Sequence, residues 1–255
     1  MKPAVTLFTI AVILLAACAP SQKVARYGIS VEQEYPHDTL SYTQGLFFAD
    51  GDLYETAGQY GESRLIKVDL QTGAAKQQVA MEAEIFAEGS CAIGGEIFVL
   101  TWLEGVCLVY DKETFDPIGR KTYKRQGWGL TTDGSLLIMS DGSAQIYFVN
   151  PKTFTTVRSV TVHRGGKSVN YLNELEFING KIWANIYTKD EIVIINPASG
   201  EVEGVIDCRG LLPSDLRSER TDVLNGIACN PDTGEIFLTG KYWPRMYRVT
   251  LTEKK

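Results

Sequence analysis

Apolar residues occur along this chain in short runs in which they alternate with polar ones, and each run begins soon after a turn signal. The turn signals are five dipeptides: Asp50-Gly51, Gly94-Gly95, Asp133-Gly134, Asn179-Gly180 and Thr233-Gly234. Alternation with a period of two predicts a β-strand, and most of these dipeptides are expected to form type I′ hairpins, in which both central residues have positive φ. The repeated turn and strand predict one structural unit per repeat.

Each repeat is expected to contain four strands, but the fifth repeat is too short to supply its own last strand. The first four repeats continue into a fourth strand, such as residues 76–80 and 157–162. In the fifth repeat the third strand ends at Thr250, and the chain ends five residues later. Residues 29–35 lie ahead of the first repeat and can supply the missing strand. Pairing of the first strand with the last closes a ring and removes the open sheet edge.

These features predict an all-β fold, specifically a five-bladed β-propeller closed by an N-terminal strand that completes the last blade. The propeller is expected over residues 28–255 as one domain. A β-sandwich of irregular hairpins is the alternative fold.

Two columns of side chains are expected to meet at one end of this propeller, because antiparallel pairing puts the start of each inner strand beside the end of the next strand. The first column precedes the inner strands and contains Gln44, Glu88, Trp128, Asn173 and Asn225. The second column follows each turn glycine by seven residues and contains Gly58, Trp102, Asp141, Tyr187 and Lys241. This mixture of aromatic, amide and charged groups predicts a small binding pocket with apolar walls.

Glu88 is the candidate for acid–base chemistry in this pocket. Burial among aromatic side chains is expected to raise its pKa toward neutrality, which suits a proton shuttle. An ordinary ion pair between Glu88 and Lys241 is the alternative. Asp141, which precedes Gly142, is expected to form only an Asx turn, and each aromatic residue taken alone could simply fill the core.

The N-terminal segment predicts export and lipid anchoring. Residues 1–17 read as a signal peptide with a short apolar core, and Leu15-Ala16-Ala17-Cys18 resembles a bacterial lipobox, which makes Cys18 the expected lipidation site. Residues 18–27 would then form the lipidated cysteine and a tether. Because Ala19 rather than Asp follows the cysteine, the expected location is the cell envelope, on the periplasmic face of the outer membrane.

Charge and composition exclude several other classes of function. A net charge of −6 and a pI near 5.1 provide no basic surface for nucleic acid. His37 and His163 lie in different loops, so the sequence predicts neither a histidine zinc site nor a catalytic triad. The sequence allows up to two disulfides, and it does not decide among the three possible connectivities of Cys91, Cys107, Cys208 and Cys229.

Seven segments in order resemble the plant and bacterial type of glutaminyl cyclase, a family of five-bladed propellers. The segments are His37-Asp38 with Tyr42-Thr43-Gln44-Gly45-Leu46, Phe86-Ala87-Glu88-Gly89-Ser90, Leu100-Thr101-Trp102, Gly127-Trp128-Gly129-Leu130, Tyr171-Leu172-Asn173-Glu174-Leu175-Glu176, Trp183-Ala184-Asn185, and Thr239-Gly240-Lys241-Tyr242-Trp243. The resemblance extends over residues 28–251.

The resemblance implies an acyl-transfer enzyme of the aminoacyltransferase class, a glutaminyl-peptide cyclotransferase. Such an enzyme converts an N-terminal glutamine to pyroglutamate and releases ammonia. Matched by motif, Glu88 is the general acid and base. Lys241 or a tryptophan N–H would face the developing oxyanion. The other implied substrate-binding residues are Gln44, Asn173, Trp102 and Trp128, with Tyr187 where the family usually has tryptophan.

The resemblance also implies which cofactors and partners to expect. No cofactor and no catalytic metal are implied, while a structural calcium ion stays open. The expected partners are peptides or proteins with N-terminal glutamine, and a membrane through the lipid anchor, for a monomeric protein. Ala87 departs from the family, which usually has glycine before the glutamate.

Two other functions are the alternatives for the rim, which is the end of the propeller where the two columns of side chains meet. A non-enzymatic envelope propeller could bind peptide ends or sugars there. A lactone or ester hydrolase would need a calcium-binding ring of carboxylates, and the rim offers mainly Glu88 and Asp141.

Overall fold

The computed structural model describes residues 24–254 of the chain. The predicted signal peptide and the predicted lipidation of Cys18 lie outside the described residues. Within that range the secondary structure consists of β-strands and one short 3₁₀ helix, Ser214–Leu216. No helix in it is long and apolar enough to cross a membrane.

Three separate antiparallel sheets of four strands follow one another along the chain. The first contains β2 (Thr43–Ala49), β3 (Asp52–Ala57), β4 (Arg64–Val68) and β5 (Ala75–Ala80). The second contains β6 (Ala87–Ile93), β7 (Glu96–Thr101), β8 (Val106–Asp111) and β9 (Pro117–Thr122). The third contains β10 (Leu130–Thr132), β11 (Leu137–Ser140), β12 (Gln145–Val149) and β13 (Thr156–Thr161).

Two further groups of four strands join into one eight-stranded sheet. The fourth group contains β16 (Leu172–Ile178), β17 (Lys181–Ile186), β18 (Glu191–Ile195) and β19 (Val202–Asp207). The fifth contains β20 (Leu224–Cys229), β21 (Ile236–Gly240), β22 (Arg245–Glu253) and the N-terminal β1 (Ala25–Pro36). A small hairpin, β14 (His163–Arg164) with β15 (Lys167–Ser168), lies between the third and fourth groups.

Strand β1 completes the fifth group, and it also joins this group to the fourth. It pairs antiparallel with β22 over the range from Tyr27↔Glu253 to Pro36↔Arg245, where the sequence predicted a partner. Its first residues also pair in parallel with β19, from Ala25↔Gly204 to Gly28↔Asp207. The sequence did not predict this second pairing, which begins four residues before the expected strand.

The hydrophobic core lies at the junctions between neighbouring groups. Along β7, Ile97 and Val99 pack in a cluster with the first group, whereas Phe98 and Leu100 pack in a cluster with the third. Alternate residues of one strand point to opposite faces of its sheet, so the period-two pattern supplies both junctions. Further clusters fill the remaining junctions: third with fourth, fourth with fifth, and fifth with first.

The first strands of the five groups contact one another in a closed cycle. Strand β2 contacts β6, β6 contacts β10, β10 contacts β16, β16 contacts β20, and β20 contacts β2. Most side chains of these strands are buried, while those of β5, β9 and β13 are largely exposed. The described chain therefore has an all-β, propeller-like fold with the inner strands at its centre.

The expectation that most turn dipeptides are type I′ is wrong. Only Asp50-Gly51 and Asn179-Gly180 have positive φ at both residues. Asp133 instead accepts the N–H groups of Ser135 and Leu136 through Oδ1, at 2.9 and 2.8 Å, in an Asx turn. The β-branched Thr233 avoids the left-handed region for steric reasons.

All four cysteines of the described range, Cys91, Cys107, Cys208 and Cys229, are free. Three of them are buried, and burial raises the pKa of the Cys107 thiol above its ordinary value. Neither of the disulfides left open by the sequence is therefore formed.

A buried pair of ionisable residues fixes the segment that leads into β2. His37 Nε2 lies 3.2 Å from Glu55 Oε1 on β3, and Nδ1 lies 2.7 Å from the carbonyl oxygen of Trp243. Thr43 also donates its hydroxyl to Glu55 Oε1 at 2.7 Å. These contacts tie the first group to the loop before β22.

Replacement of His37 is expected to show a pH-dependent loss of stability. Burial lowers the pKa of His37, but the charge of Glu55 and the hydrogen bonds of the ring raise it overall above 6.5. Burial raises the pKa of Glu55, but the charge and hydrogen bond of His37 lower it overall below 4.5. Stabilisation by His37 is full below pH 6.5 and is lost as pH rises through its folded pKa. Stabilisation by Glu55 is present above pH 4.5 and is lost as pH falls through its folded pKa.

His37→Gln should therefore lower the free energy of unfolding by about 3 kcal/mol between pH 5 and 6.5, because it leaves a buried carboxylate without its cation. Urea unfolding of both proteins across pH 5 to 9 measures this difference, with the partly exposed His163→Gln as the matched control. A difference that does not shrink toward high pH would show that the pair carries no charge.

Candidate active site

β-Bulges occur where the first-column residues lie. The pairing between inner and second strands shifts between Thr43 and Gly45, between Ala87 and Ser90, between Leu172 and Leu175, and between Leu224 and Ile227. Each shift falls at one residue of the first column: Gln44, Glu88, Asn173 and Asn225. A bulge adds an unpaired residue and redirects side chains, so four side chains turn away from the regular ladder at the same end of the fold.

The second-column residues lie at this end as well. Thr43 pairs with Ala57, Ala87 with Thr101, Leu172 with Ile186, and Leu224 with Gly240. The residue after each of these second-strand ends belongs to the second column: Gly58, Trp102, Tyr187 and Lys241. Antiparallel register therefore brings the two columns together.

A cavity of about 230 Å³ opens between them. Seven residues that the sequence singled out line it: Gln44, Glu88, Trp102, Trp128, Asn173, Tyr187 and Lys241. Three further residues complete the lining: Tyr42, Gln59 and Phe86. Asn225, Gly58 and Asp141 are not among the lining residues.

A sequence signal for two of the missed residues exists. Tyr42 and Phe86 each stand two positions before a first-column residue, Gln44 and Glu88 respectively. In an extended strand, residues i and i+2 face the same side. The same offset before Trp128 gives Gln126, which also contacts the site. Gln59 has no such signal, because it lies in a loop with an unusual φ of 114°.

Glu88 is a buried carboxyl that faces the cavity. Its side chain forms no hydrogen bond with any other residue of the range 24–254. Desolvation raises the pKa of Glu88 well above its ordinary value of 4.5, the charge of Lys241 opposes this rise, and Glu104 adds to it. The carboxyl therefore loses its proton at higher pH than an exposed glutamate does.

Lys241 is a buried amine held by aromatic rings. Its Nζ lies 4.3 Å from the ring centroid of Tyr42 and 5.2 Å from that of Tyr187. Desolvation lowers its pKa from 10.5 to about 8, although Glu88 and Asp222 act in the opposite direction. Among the described residues, no ion pair within 4.0 Å joins Lys241 to Glu88, so the ordinary ion pair considered from the sequence is not formed.

Amide side chains supply directed polar groups. Asn225 Nδ2 donates to the carbonyl oxygen of Thr43 at 2.8 Å and to Gln44 Oε1 at 3.3 Å. This leaves the amide N–H groups of Gln44 for the cavity. Asn173 Oδ1 is buried and accepts no hydrogen bond from the described residues. An unpaired buried acceptor is costly, so Asn173 is poised for a donor that enters the cavity.

The two tryptophan walls share one hydrogen-bond acceptor. Trp102 Nε1 and Trp128 Nε1 donate to Gln126 Oε1 at 3.0 and 2.9 Å. The indole N–H groups of Trp102 and Trp128 are therefore already engaged, so the tryptophan N–H that was expected as a donor to a developing negative charge is not free at either wall. The Nζ of Lys241 forms no hydrogen bond with any residue of the range 24–254, so its N–H groups are free.

Asp141 forms an Asx turn, as expected. Its Oδ1 accepts the N–H and the hydroxyl of Ser143 at 3.0 and 2.5 Å, and its Oδ2 accepts the Tyr147 hydroxyl at 3.0 Å. Trp128 lies against the adjacent Gly142 and contacts Tyr187 edge-on at 5.6 Å between centroids. Asp141 therefore fixes the turn whose Gly142 lies against Trp128.

Comparison with known proteins shows the family to which the chain belongs. Residues 4–251 match the family model described as glutamine cyclotransferase. The chain belongs to the glutamine cyclotransferase family. It is 40% identical over 231 residues to glutaminyl-peptide cyclotransferase of Arabidopsis thaliana, an alignment that covers 88% of this chain and 72% of the relative. The family resemblance noted in the sequence is thus confirmed.

Solved structures agree with this assignment. The crystal structure of Myxococcus xanthus glutaminyl cyclase is similar, with a TM-score of 0.86 and 34% identity over 91% of this chain and 100% of that one. The WD40 β-propeller domain of Doa1 matches with a TM-score of 0.50 and 12% identity over 82% of this chain and 63% of that one. The second match concerns the fold alone.

Gln126→Met should loosen the two tryptophan walls, because methionine has a similar length but no strong acceptor for the indole N–H groups. We expect a weaker near-ultraviolet circular dichroism signal from tryptophan and a red shift of its fluorescence. Gln126→Glu keeps an acceptor and is the matched control that should retain both signals. Equal spectra for Gln126→Met and the parent would show that the shared bond does not orient the rings.

Proposed function

We propose that this protein is a glutaminyl-peptide cyclotransferase that converts the N-terminal glutamine of peptides or proteins to pyroglutamate and releases ammonia. The observation that carries the proposal is that Glu88 and Lys241 both line one small cavity. Burial raises the pKa of Glu88 well above its ordinary value and lowers that of Lys241 to about 8, and the two groups are not joined in an ion pair. The named relatives support the same activity.

We also infer that the five groups of strands are the blades of a five-bladed β-propeller. The closed cycle of inner strands and the five core clusters, one at each junction, support this arrangement. Strand β1 supplies the outer strand of the last blade.

The proposed reaction forms one carbon–nitrogen bond and breaks another. The neutral α-amine of the substrate attacks the carbon of its own side-chain carboxamide and gives a tetrahedral intermediate. Collapse of the intermediate expels the carboxamide nitrogen as ammonia and leaves a five-membered lactam. The cavity of about 230 Å³ is large enough for one glutamine residue, and a curled side chain brings amine and amide together.

Glu88 is proposed to transfer the proton between the two nitrogens. As a carboxylate it accepts the proton that the attacking amine loses. As the resulting acid it protonates the departing nitrogen. One group can act twice because the two transfers follow one another, and a pKa near the working pH favours both.

Lys241 and Gln44 are proposed to stabilise the oxyanion of the intermediate. The ammonium of Lys241 has no hydrogen-bond partner in the range 24–254, and Gln44 keeps its amide N–H groups free because Asn225 holds its oxygen. Donors fixed before the reaction in a site screened from water stabilise a developing charge effectively. Asn173 Oδ1 is proposed to accept an N–H of the substrate, and the walls of the pocket are Trp102, Trp128 and Tyr187.

The chemistry is proposed to be acyl transfer of the aminoacyltransferase class, without a catalytic metal or another cofactor. The groups named above can perform every proton transfer themselves. In the range 24–254, no cluster of three or more histidine, cysteine, aspartate or glutamate side chains is arranged for a metal ion.

The proposed location is the periplasmic face of the outer membrane, with Cys18 as the lipid anchor and the protein as a monomer. Strand β1 starts at the end of the fold opposite the cavity, since Tyr27 pairs with Glu253 and Pro36 with Arg245 near the cavity end. An anchor ahead of β1 would leave the cavity facing away from the membrane, accessible to exported peptides.

The first test is release of ammonia, with the matching mass loss, from a short peptide that begins with glutamine. Glu88→Gln should lower kcat by about 1000-fold, since it removes the proton shuttle but keeps the shape of the side chain. Near-ultraviolet circular dichroism checks that the variant folds. Turnover by neither protein would overturn the proposal in favour of a binding function, and equal turnover would exclude Glu88 as the shuttle.

The pH dependence of kcat/KM should reflect both groups. Activity is expected to rise with pH through the raised pKa of Glu88, because the carboxylate is the proton acceptor. It should fall above about pH 8, where Lys241 loses its proton. Lys241→Met should lower kcat/KM by about 100-fold and abolish the descending limb. A descending limb that persists in this variant would assign the loss to another group.

Metal removal should leave the reaction intact. Dialysis against a chelator is expected to change kcat by less than about twofold, because the proposed proton transfers use side chains alone. Loss of activity that an added divalent cation restores would contradict a metal-independent mechanism. Unfolding measured in parallel separates a structural ion from a catalytic one.

A further inference from the structure

Exposed hydrophobic side chains are concentrated at the end of the fold that holds the cavity. Of the seven large hydrophobic side chains that are exposed in the described range, four lie in loops at this end: Leu40, Tyr60, Leu103 and Tyr171. The other three lie on strands β1, β9 and β13: Val31, Ile118 and Val157. Single exposed hydrophobic side chains are common on protein surfaces, so only those that form a continuous surface indicate a binding site.

Tyr60 continues the wall of the cavity outward. The ring of Phe86, which lines the cavity, contacts Trp102 at 5.5 Å and Tyr60 at 5.3 Å between centroids, both edge to face. Leu103 directly follows Trp102 and is 55% exposed. Tyr60, Phe86 and Trp102 thus form an apolar shelf that leads from the cavity to solvent, and Leu103 adds an exposed apolar side chain directly after it in the chain.

The shelf is held in place by a contact between its two loops. The Tyr60 hydroxyl donates to Glu104 Oε1 at 2.9 Å, which links the loop after β3 to the loop after β7. Gln59, beside Tyr60, has a φ of 114°, a strained conformation for a residue other than glycine. A fixed apolar surface binds a side chain at lower entropic cost than a mobile one.

The carboxylate of Glu104 also has one oxygen that accepts no hydrogen bond. Its Oε2 is buried and has no hydrogen-bond partner among the described residues. A buried carboxylate oxygen is stabilised by an N–H donor and repels a second negative charge. The shelf therefore combines an apolar surface, one free acceptor and one negative charge beside the cavity.

We propose that this shelf is the subsite for the residue that follows the N-terminal glutamine, and that it selects an apolar second residue and disfavours an acidic one. The inference rests on the proposed function. The reacting amine and carboxamide belong to the first residue, which the proposed chemistry places in the cavity beside Glu88 and Lys241, so the next residue of a bound peptide lies further out, toward the mouth of the cavity. The backbone N–H of the substrate is the donor that Glu104 Oε2 lacks.

The test compares kcat/KM for three peptides that differ only at the second position: Gln-Phe-Ala-amide, Gln-Gly-Ala-amide and Gln-Glu-Ala-amide. The unmodified protein should prefer phenylalanine over glycine by about tenfold, the effect of apolar contact at one site. Glutamate should be poorer than glycine by about tenfold, because its carboxylate approaches Glu104. Similar rates for all three peptides would overturn the inference and leave the proposed function intact.

Variants assign the selectivity to the shelf. Leu103→Ser and Tyr60→Ser should each reduce the ratio of phenylalanine to glycine toward one, and Glu104→Gln should reduce the ratio of glycine to glutamate. Ile118→Ser, on outer strand β9 and 51% exposed, is the matched control and should keep both ratios. Unchanged ratios in all shelf variants would place the selectivity elsewhere and overturn the inference. Absence of ammonia release from every peptide would overturn the proposed function, and this inference with it.

Discussion

The close approach of the five inner strands is the constraint on which the rest of the structure depends. A Cβ atom added at Gly129 would lie 2.0 Å from the carbonyl oxygen of Asn173, and one at Gly89 would lie 2.4 Å from the backbone nitrogen of Leu130. No other residue fits at these positions. Because each of these glycines directly follows a first-column residue, the convergence that requires glycine also brings Glu88 and Trp128 to the rim of one cavity.

Buried carboxyl groups hold the centre of the fold together where strand pairing cannot. Inner strands of different groups do not share a hydrogen-bonded ladder. Glu174 on β16 instead accepts the backbone N–H groups of Leu46 and Ile227, at 3.3 and 2.9 Å. Glu176 accepts that of Cys229 at 3.0 Å, and burial raises its pKa to about 7. A carboxyl whose pKa is raised in this way is charged for less of the time at neutral pH, which reduces the cost of its burial, and it still accepts a hydrogen bond.

Most of the fold and the cavity lining could be predicted from the sequence, because both follow from a repeat with period-two alternation. That pattern fixes the order of strands and the end at which Gln44, Glu88 and Lys241 lie. Other features depend on three-dimensional detail. The parallel contact of β1 with β19 depends on the spacing between two groups, and the shared bond of Gln126 depends on the orientation of two indole rings. The type I′ turn expected at Thr233-Gly234 does not form, because the β-branched side chain of Thr233 disfavours a positive φ even though glycine follows it.

Aromatic rings allow Glu88 and Lys241 to lie in one cavity without forming a direct ion pair. Burial alone would drive a carboxyl and an amine into direct contact, and a contact pair would satisfy both charges and leave neither free for a substrate. The rings of Tyr42 and Tyr187 stabilise the Lys241 ammonium through their faces. This interaction offsets part of the desolvation of the amine without consuming its N–H donors. It requires an aromatic face but not an indole N–H, and the tyrosine at position 187 supplies such a face.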